Sequence, residues 1–241
     1  ALGYQGSLNG GGNYTDKVSG WGGIDLSLKK KKTSAFGNFY SGTWNNSNSF
    51  NTRTNYLTTP SSLLSTGSGR NDGYWIWGQG GLEYDPVEGQ SFGFEGSVGT
   101  GKWYNNDNGR AENLNSLGVL SSFYTQAGNR DGLWENLTGN IYYNDKINEL
   151  GREFNADVTL SRNRNKMNMK LFKQDYDANG NPVNSTPLDQ RDSSEAVNYN
   201  LNIQADYTHP LNQSSKIETG YKSTYRINDN EFKSDTLDYS L

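Results

Sequence analysis

Apolar residues recur at every second position over long stretches of this chain, with polar residues between them. One face reads Ile24, Leu26, Leu28 against Gly23, Asp25, Ser27. Another reads Tyr74, Ile76, Gly78, Gly80, Leu82, Tyr84 against Trp75, Trp77, Gln79, Gly81, Glu83. The rule continues through Phe92, Phe94, Gly96, Val98, through Leu137, Gly139, Ile141, Tyr143, and through Phe154, Ala156, Val158, Leu160. It closes with Tyr199, Leu201, Ile203, Ala205, Tyr207 and with Ile217, Thr219, Tyr221. Side chains of an extended strand point to opposite faces in turn, so this alternation predicts strands with one apolar and one polar face. No stretch of similar length repeats with a helical period, and the chain reads as nearly all β.

Two kinds of break separate these strands. Short polar turns are expected at Lys29 to Lys32, Asp85 to Gln90, Asn144 to Arg152 and His209 to Lys216. Between them, residues 45–72, 103–132 and 164–196 are rich in Asn, Ser, Gly and Asp and read as long loops. Loops of that length are unusual inside compact soluble domains. Tight turns at one end and extended loops at the other are the asymmetry of an outer-membrane barrel, whose periplasmic side is short and whose exterior is long. The expectation is one domain over residues 1–241, an antiparallel transmembrane β-barrel segment of about nine strands.

Composition sharpens this picture. Only 32% of residues are hydrophobic, too few for a thick soluble core. Aromatics make up 13% of the chain and the net charge is only −4, which argues against disorder. A barrel wall needs a single apolar band, so it can be hydrophilic on average and still sit in lipid. No run approaches the roughly 20 apolar residues of a membrane-spanning helix. The absence of cysteine removes disulfides, thiolate metal sites and cysteine nucleophiles. The opening Ala1-Leu2-Gly3-Tyr4 has no charged segment followed by an apolar one, so an export signal is expected to lie upstream or to have been removed.

Candidate chemistry is sparse. Asp175-Tyr176-Asp177-Ala178-Asn179-Gly180-Asn181 matches the first half of a calcium loop. Its twelfth position is Thr186, which cannot chelate with two oxygens, and Asx-turn chemistry explains the same residues. The four lysines Lys29 to Lys32 read as a solvated turn, because nucleic acid would need a wider basic surface than a chain of pI near 5.1 offers. His209 is the single histidine and is expected in a tight turn before Pro210, which leaves no two-histidine metal site and a poorly placed triad. No catalytic, cofactor or metal residue is expected, and the chain does not read as an enzyme. Aromatics gather toward strand ends, as at Tyr74, Tyr84, Tyr143 and Tyr207, where rings favour a membrane interface. Gly78, Gly80, Gly93 and Gly96 suit curved, tilted strands that approach closely. Trp75, Trp77, Gln79 and Glu83 share the polar side of one strand, and Glu95 is expected to meet Glu83 across the Asp85 to Gln90 turn. These five are the candidates for facing a wet lumen, where indoles could stack on sugars, close a constriction or pack against a plug.

Gly3-Tyr4-Gln5-Gly6-Ser7-Leu8-Asn9-Gly10, the basic stretch Asp25 to Lys32 and the following Ala35 to Tyr40 resemble the opening hairpin of a known family. Gly151 to Val158, Leu201 to Pro210 and Lys216 to Lys222 are similar to its later hairpins. The family is that of outer-membrane β-barrels related to TonB-dependent transporters. The resemblance implies import of a solute too large for simple porins, a plug domain, an energy-coupling inner-membrane protein, surrounding outer-membrane lipid and a surface-exposed partner. Two departures stand out: nothing here can serve as the plug, and the end at Asp238-Tyr239-Ser240-Leu241 has no terminal aromatic strand. The expectation is therefore a piece of a barrel, where transporter barrels of this kind have about 22 strands, with its edges covered either by other polypeptide or by the nine strands closing or pairing among themselves. A passive porin or surface adhesin, and a secreted glycan-binding β-sandwich, remain the alternatives.

Overall fold

The computed structural model describes residues 3–15, 17–58, 61–147, 151–212 and 214–238. They form β1 (Gly3–Tyr14), β2 (Val18–Lys30), β3 (Thr33–Tyr56), β4 (Ser61–Tyr84), β5 (Gln90–Leu114), β6 (Leu120–Lys146), β7 (Glu153–Asp177), β8 (Leu188–Asn212) and β9 (Ser215–Thr236). All nine belong to one antiparallel sheet in sequence order, β1 beside β2 through to β9. There is no second sheet among the described residues, so the sandwich alternative has no counterpart. The sheet is not closed: β1 and β9 each have one unpaired edge.

The registers join the seven apolar stretches of the sequence into a single face. One row runs across the sheet as Leu28, Ala35, Leu82, Phe94, Ile141, Val158 and Ile203. On β8 the apolar face extends from Tyr207 through Ala205, Ile203, Leu201 and Tyr199 to Val197. Ten residues of strand tilted by about 40° span roughly 25 Å of height, the thickness of the lipid-facing band of a membrane barrel. The band's residues are exposed, with Leu82, Phe94, Val98, Leu137, Ile141 and Leu160 all more than half accessible. Ala111 is the one buried hydrophobic residue among those described. A sheet with this little core gains its cohesion from the hydrogen-bond ladder and cross-strand pairs, and its apolar face requires an apolar surrounding.

The expected long loops are a correction. Residues 45–72, 103–132 and 164–196 are mostly strand: β3 to β8 are each 24 to 27 residues long. At about 3.3 Å per residue each is near 80 Å, so the hairpins continue far beyond one end of the apolar band. Both faces of these extensions are mostly polar, and their backbone groups are satisfied by the ladder, as for Asn48 opposite Gly69 and Asn106 opposite Asn129. The β5–β6 turn is correspondingly small. Asn115 accepts the N–H of Leu117 and of Val119 through its side-chain oxygen at 3.0 Å, and Gly118 supplies the left-handed residue at φ 74°.

The turn that resembled a calcium loop is held by Asp177. Its carboxylate accepts the backbone N–H of Asn179 (2.9 Å) and of Asn181 (2.8 Å) and the side-chain amide of Asn181 (3.0 Å), while Gly180 takes φ 86°. The side-chain hydrogen bond from Asn181, followed by its backbone N–H, holds the Asp177 carboxyl below the usual carboxylate range. At the other end, Lys31 and Lys32 form the β2–β3 turn, and Lys32 donates to the carbonyl of Pro86 in the adjacent turn. His209 and Pro210 are a smaller correction: they lie in β8, and the strand ends only at Asn212. The Tyr207 hydroxyl is 3.2 Å from His209 Nδ1. The expectation about the chain's last residues falls on Tyr239 to Leu241, outside the described residues.

Candidate functional site

The face opposite the apolar band is polar, and it carries every tryptophan of the chain. Trp21, Trp44, Trp75, Trp77, Trp103 and Trp134 all fall on this side by register. They do not stand beside one another. Across six strands one row reads Gly11, Trp21, Gly42, Trp75, Gly101, Trp134. The next row toward the distal end reads Trp44, Gly73, Trp103, Gly132 and then Met167. Each indole thus has a glycine as its cross-strand neighbour, and the ring lies over the bare backbone that the glycine leaves.

The fit is tight. A Cβ added at Gly42 would lie 2.8 Å from Trp75 Nε1, one at Gly132 2.3 Å from the Trp103 ring, and one at Gly101 2.6 Å from Trp134 Nε1. Gly99, Gly101 and Gly132 are buried, whereas Trp75, Trp77, Trp103 and Trp134 are half-buried. An indole lying on a glycine has one face packed on the sheet and the other open, and the pairing restores the contacts that glycine otherwise costs a strand. The result is a paved aromatic surface over β2 to β6. Tyr40 joins it beside Trp77, with ring centroids 6.1 Å apart and planes tilted by 42°.

Tyrosines on the same face use glycines to reach carboxylates. Tyr40 lies over Gly23 and donates to Asp25 Oδ1 at 2.5 Å, and Asp25 Oδ2 accepts from Ser7 and from Asn9 at 2.8 Å each. Tyr142 of β6 crosses Gly93 of β5 and donates to Glu83 Oε2 of β4 at 2.7 Å. The step over β5 is possible only because Gly93 has no side chain: a Cβ there would meet the Tyr142 ring at 1.9 Å. Ser34 donates to the other oxygen of Glu83 at 3.4 Å. An open cavity of about 580 Å³ at this end is lined by Lys29, Ser34, Phe36, Glu83, Glu95 and Tyr142.

All five expected candidates share this face. Trp75 and Trp77 belong to the aromatic pavement, Gln79 sits between Asn38 and Ser97, and Glu83 and Glu95 line the cavity. Glu83 and Glu95 do not face each other as expected. Glu83 is opposite Gly93 and Glu95 opposite Gly81, so the two are diagonal neighbours. Sequence reasoning missed the other four tryptophans, Tyr40, Tyr142 and Asp25. A signal for them exists: Gly-x-Trp occurs at Gly42/Trp44, Gly73/Trp75, Gly101/Trp103 and Gly132/Trp134, once in each of four successive strands. Two antiparallel copies of that triplet in the right register place each Trp over the other's Gly. The expected role of Gly78, Gly80 and Gly96 differs from that of Gly93, since those three lie on the apolar face.

No group of three or more His, Cys, Asp or Glu side chains placed to hold a metal ion occurs among the described residues. Residues 145–240, spanning β7 to β9, match the model of the outer membrane protein beta-barrel family. No curated protein matches the chain. With the nine-stranded antiparallel sheet and its apolar band, the match supports a segment of β-barrel wall in the outer membrane.

Proposed function

We propose that this chain is part of the wall of an outer-membrane transporter of the TonB-dependent kind, with the tryptophan-bearing face toward the lumen and the long hairpin extensions outside the cell. The observation that carries this reading is the division of one sheet into an apolar band and an opposite face of half-open indoles with hydrogen-bonded carboxylates. A wall that only held a pore open would need a wetted lumen; open aromatic faces beside Asn38, Gln79 and Asn136 add a surface on which a solute can rest. In this reading Glu83, Glu95 and Tyr142, near the short turns, meet a plug, and an inner-membrane partner supplies the energy through that plug. The wall guides a solute and performs no covalent chemistry.

Two measurements on the complete protein test the proposal. Reconstituted in planar bilayers it should be closed at rest, and solute uptake in cells should cease when the inner-membrane proton gradient is collapsed. A steady open conductance with gradient-independent uptake would make it a passive porin. Surface attachment with neither activity would make it an adhesin.

A further inference from the structure

The apolar face is not a smooth surface of side chains. An open groove of about 630 Å³ crosses it, lined by Phe94, Val98, Leu137 and Leu160 and ending at Arg162 and Tyr199. Its floor is bare because the register brings Gly80, Gly96 and Gly139 into one row. The groove lies inside the band that faces hydrocarbon, so its occupant must be apolar along most of its length.

Where the groove ends, the same face turns basic. Along β7 the residues after Leu160 on this face are Arg162, Arg164 and Lys166, and Lys102 of β5 lies two strands away in the row of Lys166, with Leu133 of β6 between them. Carboxylates stand among these cations on the same face. Glu135 accepts from Arg162 (3.5 Å) and Arg164 (3.4 Å), and Glu195 pairs with Arg164 at 2.7 Å. Asp131, further from the band, accepts from the Asn168 amide at 2.9 Å. Lys102 and Lys166 enter no ion pair within 4 Å among the described residues, although Glu195 stands opposite Lys166 in register and its carboxylate feels that charge as well as those of Arg164 and Arg162. Positive side chains at this height on the outside of a wall meet lipid headgroups and not solute. Arginine and lysine there bind phosphate by charge-assisted hydrogen bonds.

The geometry points to a lipid site on the outside of the wall: one acyl chain lies in the glycine-floored groove, and its phosphate-bearing headgroup rests on Arg162, Lys166 and Lys102. This inference rests on the barrel-wall reading and is independent of what the lumen carries.

The complete protein, isolated in mild detergent and exposed to mixed micelles of phosphatidylglycerol and phosphatidylcholine, is examined by native mass spectrometry. One phosphatidylglycerol should be retained in preference to phosphatidylcholine. Lys102→Gln and Lys166→Gln, which break no described ion pair, should each lower that preference about fivefold. Gly139→Leu should remove retention of either lipid by filling the groove, since a Cβ there meets no atom within 4 Å and folding is spared. Resistance to unfolding in dodecyl sulfate before heating serves as the folding check for every variant. Equal retention of the two lipids, or an unchanged preference in both lysine variants, overturns the headgroup contact. Retention surviving in a folded Gly139→Leu protein overturns the groove. Displacement of the lipid by inorganic phosphate would mean an anion site without an acyl chain and overturns the proposal as well. A protein that stays monodisperse without any amphiphile would instead overturn the barrel wall itself.

Discussion

The two halves of this sheet keep their polar faces in order by different means. In β2 to β6 the device is an aromatic ring laid over a glycine, repeated from strand to strand. In β7 to β9 there is no tryptophan, and Gly220 is the one glycine within a strand. The polar face there is joined by hydrogen bonds between small polar side chains: Thr159 to Asn140, Thr224 to Asn202 and Ser234 to Asp192. Bare backbone must be covered by something large, whereas a strand without glycine can be closed by its own neighbours. The first arrangement depends on register to a fraction of a residue, because a slip by one would move every indole to the other face. The second tolerates exchange of one polar residue for another.

Changes at the glycines should separate the halves most clearly. Gly73→Val should be the most damaging single substitution, because its Cβ would meet the Lys102 carbonyl oxygen and the Trp44 ring, both at 2.4 Å. Backbone cannot yield as a side-chain tip does, so a loss of about 3 kcal/mol is expected, measured by urea unfolding in lipid. Gly220→Ala in β9 should cost less: its closest contact is Asp206 Oδ1, the movable end of a side chain. If the two cost the same, the glycine–aromatic fit has no special weight.

Removing a ring tests the same arrangement from its other side. Trp134→Ala uncovers Gly99 and Gly101 together and should destabilise by about 2 kcal/mol, less than a fully buried tryptophan would. Thr159→Ala, which removes one side-chain hydrogen bond of the second half, should cost about 1 kcal/mol or less.

Smaller effects belong to the charges. Glu135→Gln weakens contacts to Arg162 and Arg164 that are open to solvent, so the loss should be smaller than at Thr159 and should shrink in high salt. The smallest concerns the distal turn of β7 and β8. Because hydrogen bonds hold the Asp177 carboxyl below its ordinary range in the folded turn, its contribution is complete above the ordinary carboxylate pKa. That contribution is lost as pH falls through the lowered value. Amide exchange at Asn179 and Asn181, corrected for intrinsic rates, should accelerate only in that acid window, and Asp177→Asn should shift it.

Much of this architecture is legible in the residues themselves. Period-two alternation assigned Ile76, Leu82, Phe94, Val98, Leu137, Ile141, Val158, Leu160, Leu201 and Ile203 to one side of their strands, and pairing places all of them on one face of one sheet. Trp75, Trp77, Gln79 and Glu83 were likewise legible as sharing the other side, since parity along a strand needs no knowledge of its neighbours, whereas placing Glu95 of β5 beside them required the pairing across the turn.

What lay outside that reading needed a partner strand to become visible. Residues 45–72, 103–132 and 164–196 looked like loops because both of their faces are polar, and alternation disappears when neither side meets hydrocarbon. Their order comes from backbone hydrogen bonds between consecutive strands, and side-chain polarity carries no trace of those. The pairing of Trp75 with Gly42 and Gly101, the reach of Tyr142 over Gly93 to Glu83, and the row Gly80, Gly96, Gly139 are likewise products of register. A chain can state which way each side chain points; which residue it meets depends on where the next strand comes to rest.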